Sequence, residues 1–149
     1  WSSDVCSSDL EQVQHENDSY QHRRHNKNLL MVHLIFATKY RKPLLKDALK
    51  NDVKQYICDA CRKQHWYVRR IETDKDHIHI LLQYNPADSV TEIVSRLKQY
   101  STFWAWKVHG QTLKSHYWAE KTLWSDGYFA ASIGMVSKNI IEQYIENQG

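Results

Sequence analysis

The segment 28–38, NLLMVHLIFAT, constrains the fold more than any other stretch of the chain. Its apolar part, residues 29–37, is nine residues long and is interrupted by His33. That is far short of the roughly 20 residues a membrane-spanning helix needs. A run of this length, with Val32, Ile35 and Phe36 in it, reads as a buried β-strand.

The segments around it follow two different periods. Lys39-Tyr40-Arg41-Lys42-Pro43 ends the run with a basic corner. Residues 44–64 then place Leu45, Leu49, Val53, Tyr56, Ile57 and Ala60 at three-and-four spacing, the pattern of an amphipathic helix. Residues 66–73 read as a second strand, Asp74-Lys75-Asp76 as a hairpin turn and residues 77–84 as a third strand. After Asn85-Pro86, Ser89-Val90-Thr91-Glu92 has the spacing of a capping box. It opens a second helix through Ile93, Val94, Leu97, Trp104 and Val108, with Gly110 as its expected stop. Residues 117–123 and 128–133 read as one or two strands around Ser125-Asp126-Gly127, and Ser137 caps a last helix over 138–148. The order β-α-β-β-α-β plus a C-terminal helix predicts an α+β, ferredoxin-like (split βαβ) fold: an antiparallel sheet with helices on one face. Many unrelated activities use that fold, so function must come from the site.

A chain of 149 residues, 42% hydrophobic and 25% charged, fits one globular domain and excludes wholesale disorder. Residues 1–10, WSSDVCSSDL, have neither periodicity nor signal-peptide architecture and resemble the translation of a sequencing adapter. They are read as an artefact, residues 11–27 as a flexible polar leader and residues 28–149 as the functional domain. The net charge is +3, and leaving out Asp4 and Asp9 raises it to +5. Without Cys6, the C-x-x-C pair Cys58 and Cys61 stands late in a helix with no second ligand pair. That reads as two small buried thiols in a reducing cytoplasm rather than a zinc or redox centre.

His77-Ile78-His79 is the sharpest chemical feature. On a strand the two histidines share one face while Ile78, Ile80 and Leu82 face the helices. Two imidazoles so placed can converge on a divalent metal, and equally can be surface or structural histidines. No Asp-His pair follows His79 and no Glu stands just downstream, so a further ligand must come from elsewhere. Tyr144 and Gln148 stand four apart on the last helix, on one face. A phenol is a competent covalent nucleophile and an amide oxygen a ligand for a hard cation. The same spacing also describes an ordinary amphipathic helix.

Four blocks taken together resemble the HUH single-tyrosine transposases of small insertion sequences that move as single-stranded DNA. They are Val32-His33-Leu34-Ile35-Phe36 with Thr38-Lys39-Tyr40-Arg41-Lys42, Asp76-His77-Ile78-His79, Leu123-Trp124-Ser125-Asp126-Gly127-Tyr128-Phe129, and Tyr144-Ile145-Glu146-Asn147-Gln148. The resemblance covers nearly everything from Tyr20 onward. It implies that His77, His79 and Gln148 bind magnesium or manganese and that Tyr144 is the nucleophile. It further implies cutting and rejoining of single-stranded DNA at hairpin-bearing ends, in a homodimer with no nucleotide cofactor and no membrane. The enzyme would be cytoplasmic, and nucleoid-associated when on DNA.

Charge and aromatic placement agree with such a partner. Lys39, Tyr40, Arg41 and Lys42 cluster at the end of the first strand, and Arg96 and Lys98 add charge on the second helix. Arg69 and Arg70 read as a solvated edge, and Trp104, Trp106, Trp118 and Trp124 as core or dimer surface. Two other readings stay open: a non-catalytic single-strand-binding module, and a domesticated HUH nuclease acting on genomic repeats.

Overall fold

A computed structural model describes residues 21–23 and 26–133. The last helix expected over 138–148, with Tyr144 and Gln148, lies outside the described residues. So do residues 1–20 and most of what precedes the first long strand. The described end of the polar leader forms a small hairpin. In it β1 (Gln21–Arg23) pairs antiparallel with β2 (Asn26–Asn28).

The apolar run forms β3 (Leu30–Ala37). Then follow α1 (Asp47–Lys63), β4 (Tyr67–Thr73), β5 (His77–Tyr84), α2 (Val90–His116) and β6 (Phe129–Ile133). The four long strands make one sheet in the order β4-β5-β3-β6, with every neighbouring pair antiparallel. β5 therefore splits the β3-α1-β4 unit, and β3 splits the β5-α2-β6 unit. This is the α+β arrangement expected from the sequence.

Period two decides which side is core. Val32, Leu34 and Phe36 of β3 and Ile78, Ile80 and Leu82 of β5 are at most 1% exposed. They pack with Leu49, Val53 and Ile57 of α1 and Ile93, Leu97 and Ala105 of α2. Each large aliphatic side chain buried there contributes about 1.5–3 kcal/mol of transfer free energy. The alternate residues, His33, Ile35, His77, His79 and Leu81, are only half-buried and form the other face.

Three details differ from the sequence reading. α1 starts at Asp47 because Leu44 and Leu45 enter the core from an extended lead-in, where Leu45 N–H bonds to Lys75 O at 2.9 Å. Gly110 does not stop α2. The helix bends at His109 (φ −115°, ψ 28°), whose Nε2 is 2.6 Å from Asp52 of α1, and continues to His116. Residues 117–123 form no strand, since Leu123 and Trp124 are consecutive buried residues rather than alternating ones. Trp124 makes a single antiparallel bridge to Thr38. Cys58 and Cys61 are both buried, as expected. Among the described residues no helix is long and apolar enough to cross a membrane.

Candidate metal and nucleic-acid site

The H-x-H pair opens β5, next to the central strand. Ala37 stands opposite His77, and Ile35 opposite His79. On the other side Glu72 of β4 is the partner of His79. The pleat puts both imidazoles on the face away from the helices, with ring centroids 4.8 Å apart and planes at 65°.

Each ring is held at one nitrogen. Nδ1 of His77 lies 2.8 Å from Asp76 Oδ1, and the other oxygen of that carboxylate accepts from Arg41 Nε at 3.0 Å. The hydrogen bond from His77, then that from Arg41, holds the Asp76 carboxyl below the usual carboxylate range. Nδ1 of His79 lies 3.4 Å from Nε2 of His33, with ring centroids 5.5 Å apart. Burial pushes the His79 imidazole down, and the neighbouring His77 and His33 add to that. Burial alone lowers His33. Both shifts favour the neutral form, in which an imidazole nitrogen can ligate or accept.

Among the described residues no group of three or more His, Cys, Asp or Glu side chains is arranged to hold a metal ion. His33 is a neighbour of the pair, its ring centroid 5.5 Å from that of His79. The expected ligand Gln148 lies outside the described residues.

The basic corner sits at the same end of the sheet. Thr38 N–H bonds to Asp76 O at 2.9 Å, so residues 39–42 begin directly beside the H-x-H strand. Lys39–Arg41 form a single 3-10 turn in which Tyr40 and Arg41 take φ of 60° and 53°. Left-handed backbone at two non-glycine residues is costly, of order 1 kcal/mol or more each. It is held by Thr38 Oγ1 donating to Lys42 O at 2.7 Å and by Lys39 N–H donating to Leu123 O at 2.9 Å.

The side chains of that corner have internal partners. Lys39 Nζ is 3.3 Å from Asp126, Tyr40 OH donates to Glu120 at 3.3 Å, and Arg41 holds Asp76. Tyr40 is nonetheless 67% exposed, and the Arg41 side chain 65%. The other two basic residues lie elsewhere. Arg96 pairs with Glu92 one turn back and lines a hollow with Ala60, Lys63 and Gln64 at the end of α1. Lys98 Nζ donates to the carbonyls of Ser125 at 2.7 Å and Gly127 at 2.9 Å, and burial lowers its pKa. It shapes the 125–127 turn. Arg69 donates to the buried Gln83. Of the tryptophans, Trp124 is buried with its Nε1 on Ser101, Trp106 donates to Thr122 O, and Trp118 is 82% exposed.

Sequence reasoning did not single out Asp76 or His33 for the site. The signal for His33 was its interruption of the apolar run. For Asp76 it was adjacency to the H-x-H pair.

A family model described as "Transposase IS200 like" matches residues 26–148, most of the chain. The chain belongs to the IS200-like transposase family. This IS200-like transposase is 29% identical over 119 residues to the ISDra2 transposase TnpA of Deinococcus radiodurans, covering 80% of the chain and 84% of the relative. It is 28% identical over 133 residues to the transposase for insertion sequence element IS200 of Salmonella typhimurium, covering 89% and 84%. A crystal structure described as that of a transposase from D. radiodurans R1 superposes with a TM-score of 0.70 at 29% identity, over 86% of this chain and 97% of that one. A REP-associated tyrosine transposase bound to a REP hairpin shares the fold at TM-score 0.53 and 12% identity, over 85% and 67%. The family assignment makes the chain a member of a class of DNA strand-cutting, strand-transferring enzymes, and its matched span runs from β2 through both histidines to residue 148.

Proposed function

We propose that this IS200-like transposase cuts and rejoins single-stranded DNA at hairpin-bearing element ends through a covalent link to Tyr144. The observation that supports it most is the pair of imidazoles, 4.8 Å apart on an open sheet face, in a chain of this family. In the proposed step the Tyr144 phenol oxygen attacks the scissile phosphorus. The new bond to the phenol oxygen forms as the bond to the 3′-oxygen breaks. The phenol proton passes to solvent and the departing oxygen takes one up, leaving a 5′-phosphotyrosine and a free 3′-hydroxyl. Rejoining reverses this with another 3′-hydroxyl, so the ester energy is kept and no nucleotide cofactor is required.

A phenol with a pKa near 10 is a weak nucleophile at neutral pH. Magnesium or manganese held by His77, His79 and Gln148 would neutralise charge developing at the phosphate. The donor set fits such a cation: half-buried imidazoles, each already engaged at Nδ1. The corner 39–42, beside the histidines, takes the strand's phosphates, and the exposed Tyr40 ring offers a stacking surface. A relative caught on a hairpin supports hairpin DNA as the partner. The outer edge of β6 has no partner strand among the described residues, which suits association with a second copy as a homodimer. The setting is the cytoplasm, with the enzyme on the nucleoid when bound.

The test is a denaturing gel of the protein incubated with manganese and a hairpin-bearing single strand. Wild type gives a covalent protein–DNA adduct and Tyr144→Phe gives none. His77→Ala lowers the rate at least about a hundredfold, because several kcal/mol of Lewis-acid stabilisation are lost. An undiminished adduct in Tyr144→Phe refutes the assigned nucleophile. Binding and cutting that ignore both histidines refute the metal site.

A further inference from the structure

A groove of about 800 Å³ lies on the helix side of the sheet, away from the histidines, between α2 and residues 121–126. Trp106 and Trp124 line it, and both indole N–H groups are already bonded, to Thr122 O at 2.8 Å and Ser101 Oγ at 2.9 Å. Phe103 stands at its margin, 59% exposed and edge-on to Trp104, with ring centroids 5.4 Å apart. One exposed ring is ordinary on a protein surface. This one stands among cations. Among the described residues the groove is lined by three lysines, Lys98, Lys107 and Lys121, and by one carboxylate, Asp126. Lys39 engages that carboxylate at 3.3 Å, so the groove reaches the basic corner. Lys98 is turned to the carbonyls of the 125–127 turn, whereas Lys107 Nζ lies 5.7 Å from the Phe103 centroid and 5.0 Å from that of Trp104. Beyond Phe103 a second hollow repeats the pattern, with Lys63 Nζ 4.8 Å over the Tyr100 ring and Arg96 in its wall.

We propose that this groove is a second contact surface for single-stranded DNA, in which an unpaired base stacks on Phe103 while Lys107 and Lys121 meet the phosphates on either side. It rests on single-stranded DNA being the substrate and extends that strand's path, from the histidines on the open face, around the basic corner, onto the helix side. Rings and cations alternate along the groove, and a strand of flat bases and phosphates matches both. An acidic peptide would match the charge alone, and an apolar partner the rings alone. The two indoles are held by their own hydrogen bonds, so the walls lose little freedom when the groove is filled.

The test has two arms on the full chain, both with a hairpin-bearing single strand. In the first, 5-iodouracil is placed at successive positions of the unpaired tail, and irradiated complexes are digested with trypsin, which releases residues 99–107, QYSTFWAWK, as one peptide. A cross-link in that peptide is expected from at least one tail position. Cross-links confined to the peptides around residues 39–42 overturn the groove and leave the substrate reading standing. In the second arm, fluorescence anisotropy without metal measures affinity. Phe103→Leu, which keeps apolar bulk but no flat ring, weakens binding about tenfold, and Phe103→Trp recovers it. Lys107→Gln combined with Lys121→Gln lowers the slope of log affinity against log salt by about 1.4, at about 0.7 for each phosphate. Variants that bind like wild type overturn the proposal. So does a Phe103→Leu variant that keeps its affinity but loses a dimer seen for wild type in light scattering, because the groove then holds a second copy. If wild type does not bind the strand at all, the substrate reading fails and takes the proposal with it. Should Phe103→Leu not fold, the wild-type cross-links decide.

Discussion

Arg41 and Lys42 are neighbours in sequence and do different work. The guanidinium of Arg41 is tied to Asp76, the same carboxylate that holds His77. Lys42 turns its carbonyl inward to Thr38, and under the proposed function its ammonium is the group that meets phosphate. Lys42→Ala should therefore weaken single-strand binding at every sequence alike. It should also reduce the slope of log affinity against log salt by roughly 0.7, the value for one phosphate of a single strand no longer neutralised. A fluorescence titration at four salt concentrations measures it. Tyr117 carries a pH signature. Its hydroxyl donates to Lys39 O at 2.6 Å, and burial raises its pKa from 10.0 to about 12. A folded pKa raised above the unfolded one means stability fully present below pH 10 and lost as pH rises through 12. Denaturant melts should show wild type ahead of Tyr117→Phe at pH 8 by about 1 kcal/mol, and the gap closing between pH 10 and 12. At this scale the sequence was legible where the period of two sufficed: it put His77 and His79 on one face. It was opaque where a contact crosses strands. His33 and His79 are 46 residues apart, and only the β3–β5 register makes them neighbours.

The elements were readable where local chemistry sets their ends. Ser89 Oγ accepts from Glu92 N–H at 3.1 Å, as the capping spacing predicts. The return arm of the box is replaced, since the Glu92 carboxylate turns to Arg96 at 2.9 Å. One cap bond remains, so Ser89→Ala should cost about 1 kcal/mol in a chemical melt. Glu92→Gln should cost only a few tenths, the worth of an exposed i,i+4 pair. The elements were misread where a tertiary partner overrides the local signal. Gly110 looks like a stop, but Asp52 on α1 engages His109 and α2 bends and carries on. Leu45 has helical spacing with Leu49, yet the Lys75 carbonyl captures the Leu45 N–H and delays α1 to Asp47.

For the whole molecule, the order of strand and helix patterns was enough to infer the architecture, because two split βαβ units leave few ways to cover one sheet face. Charge alone said little. The basic corner gains meaning from its place beside β5, not from the chain's total of +3. That placement passes through one buried residue, Thr38. Its amide bonds to Asp76 O, its hydroxyl to Lys42 O, its carbonyl accepts from Ser125 Oγ, and it bridges to Trp124. The start of the H-x-H strand, the basic corner and the 125–127 turn thus share a single bolt. In time rather than space, they should open together. Amide hydrogen exchange at Thr38, Lys39 and Ser125 should report one common opening free energy, and Thr38→Val should speed all three by the same factor. Under the proposed function, separate rates would mean that the corner can let go of DNA while the histidines stay in place. A common rate would then mean that the proposed holding of strand and of metal begin and end in the same event.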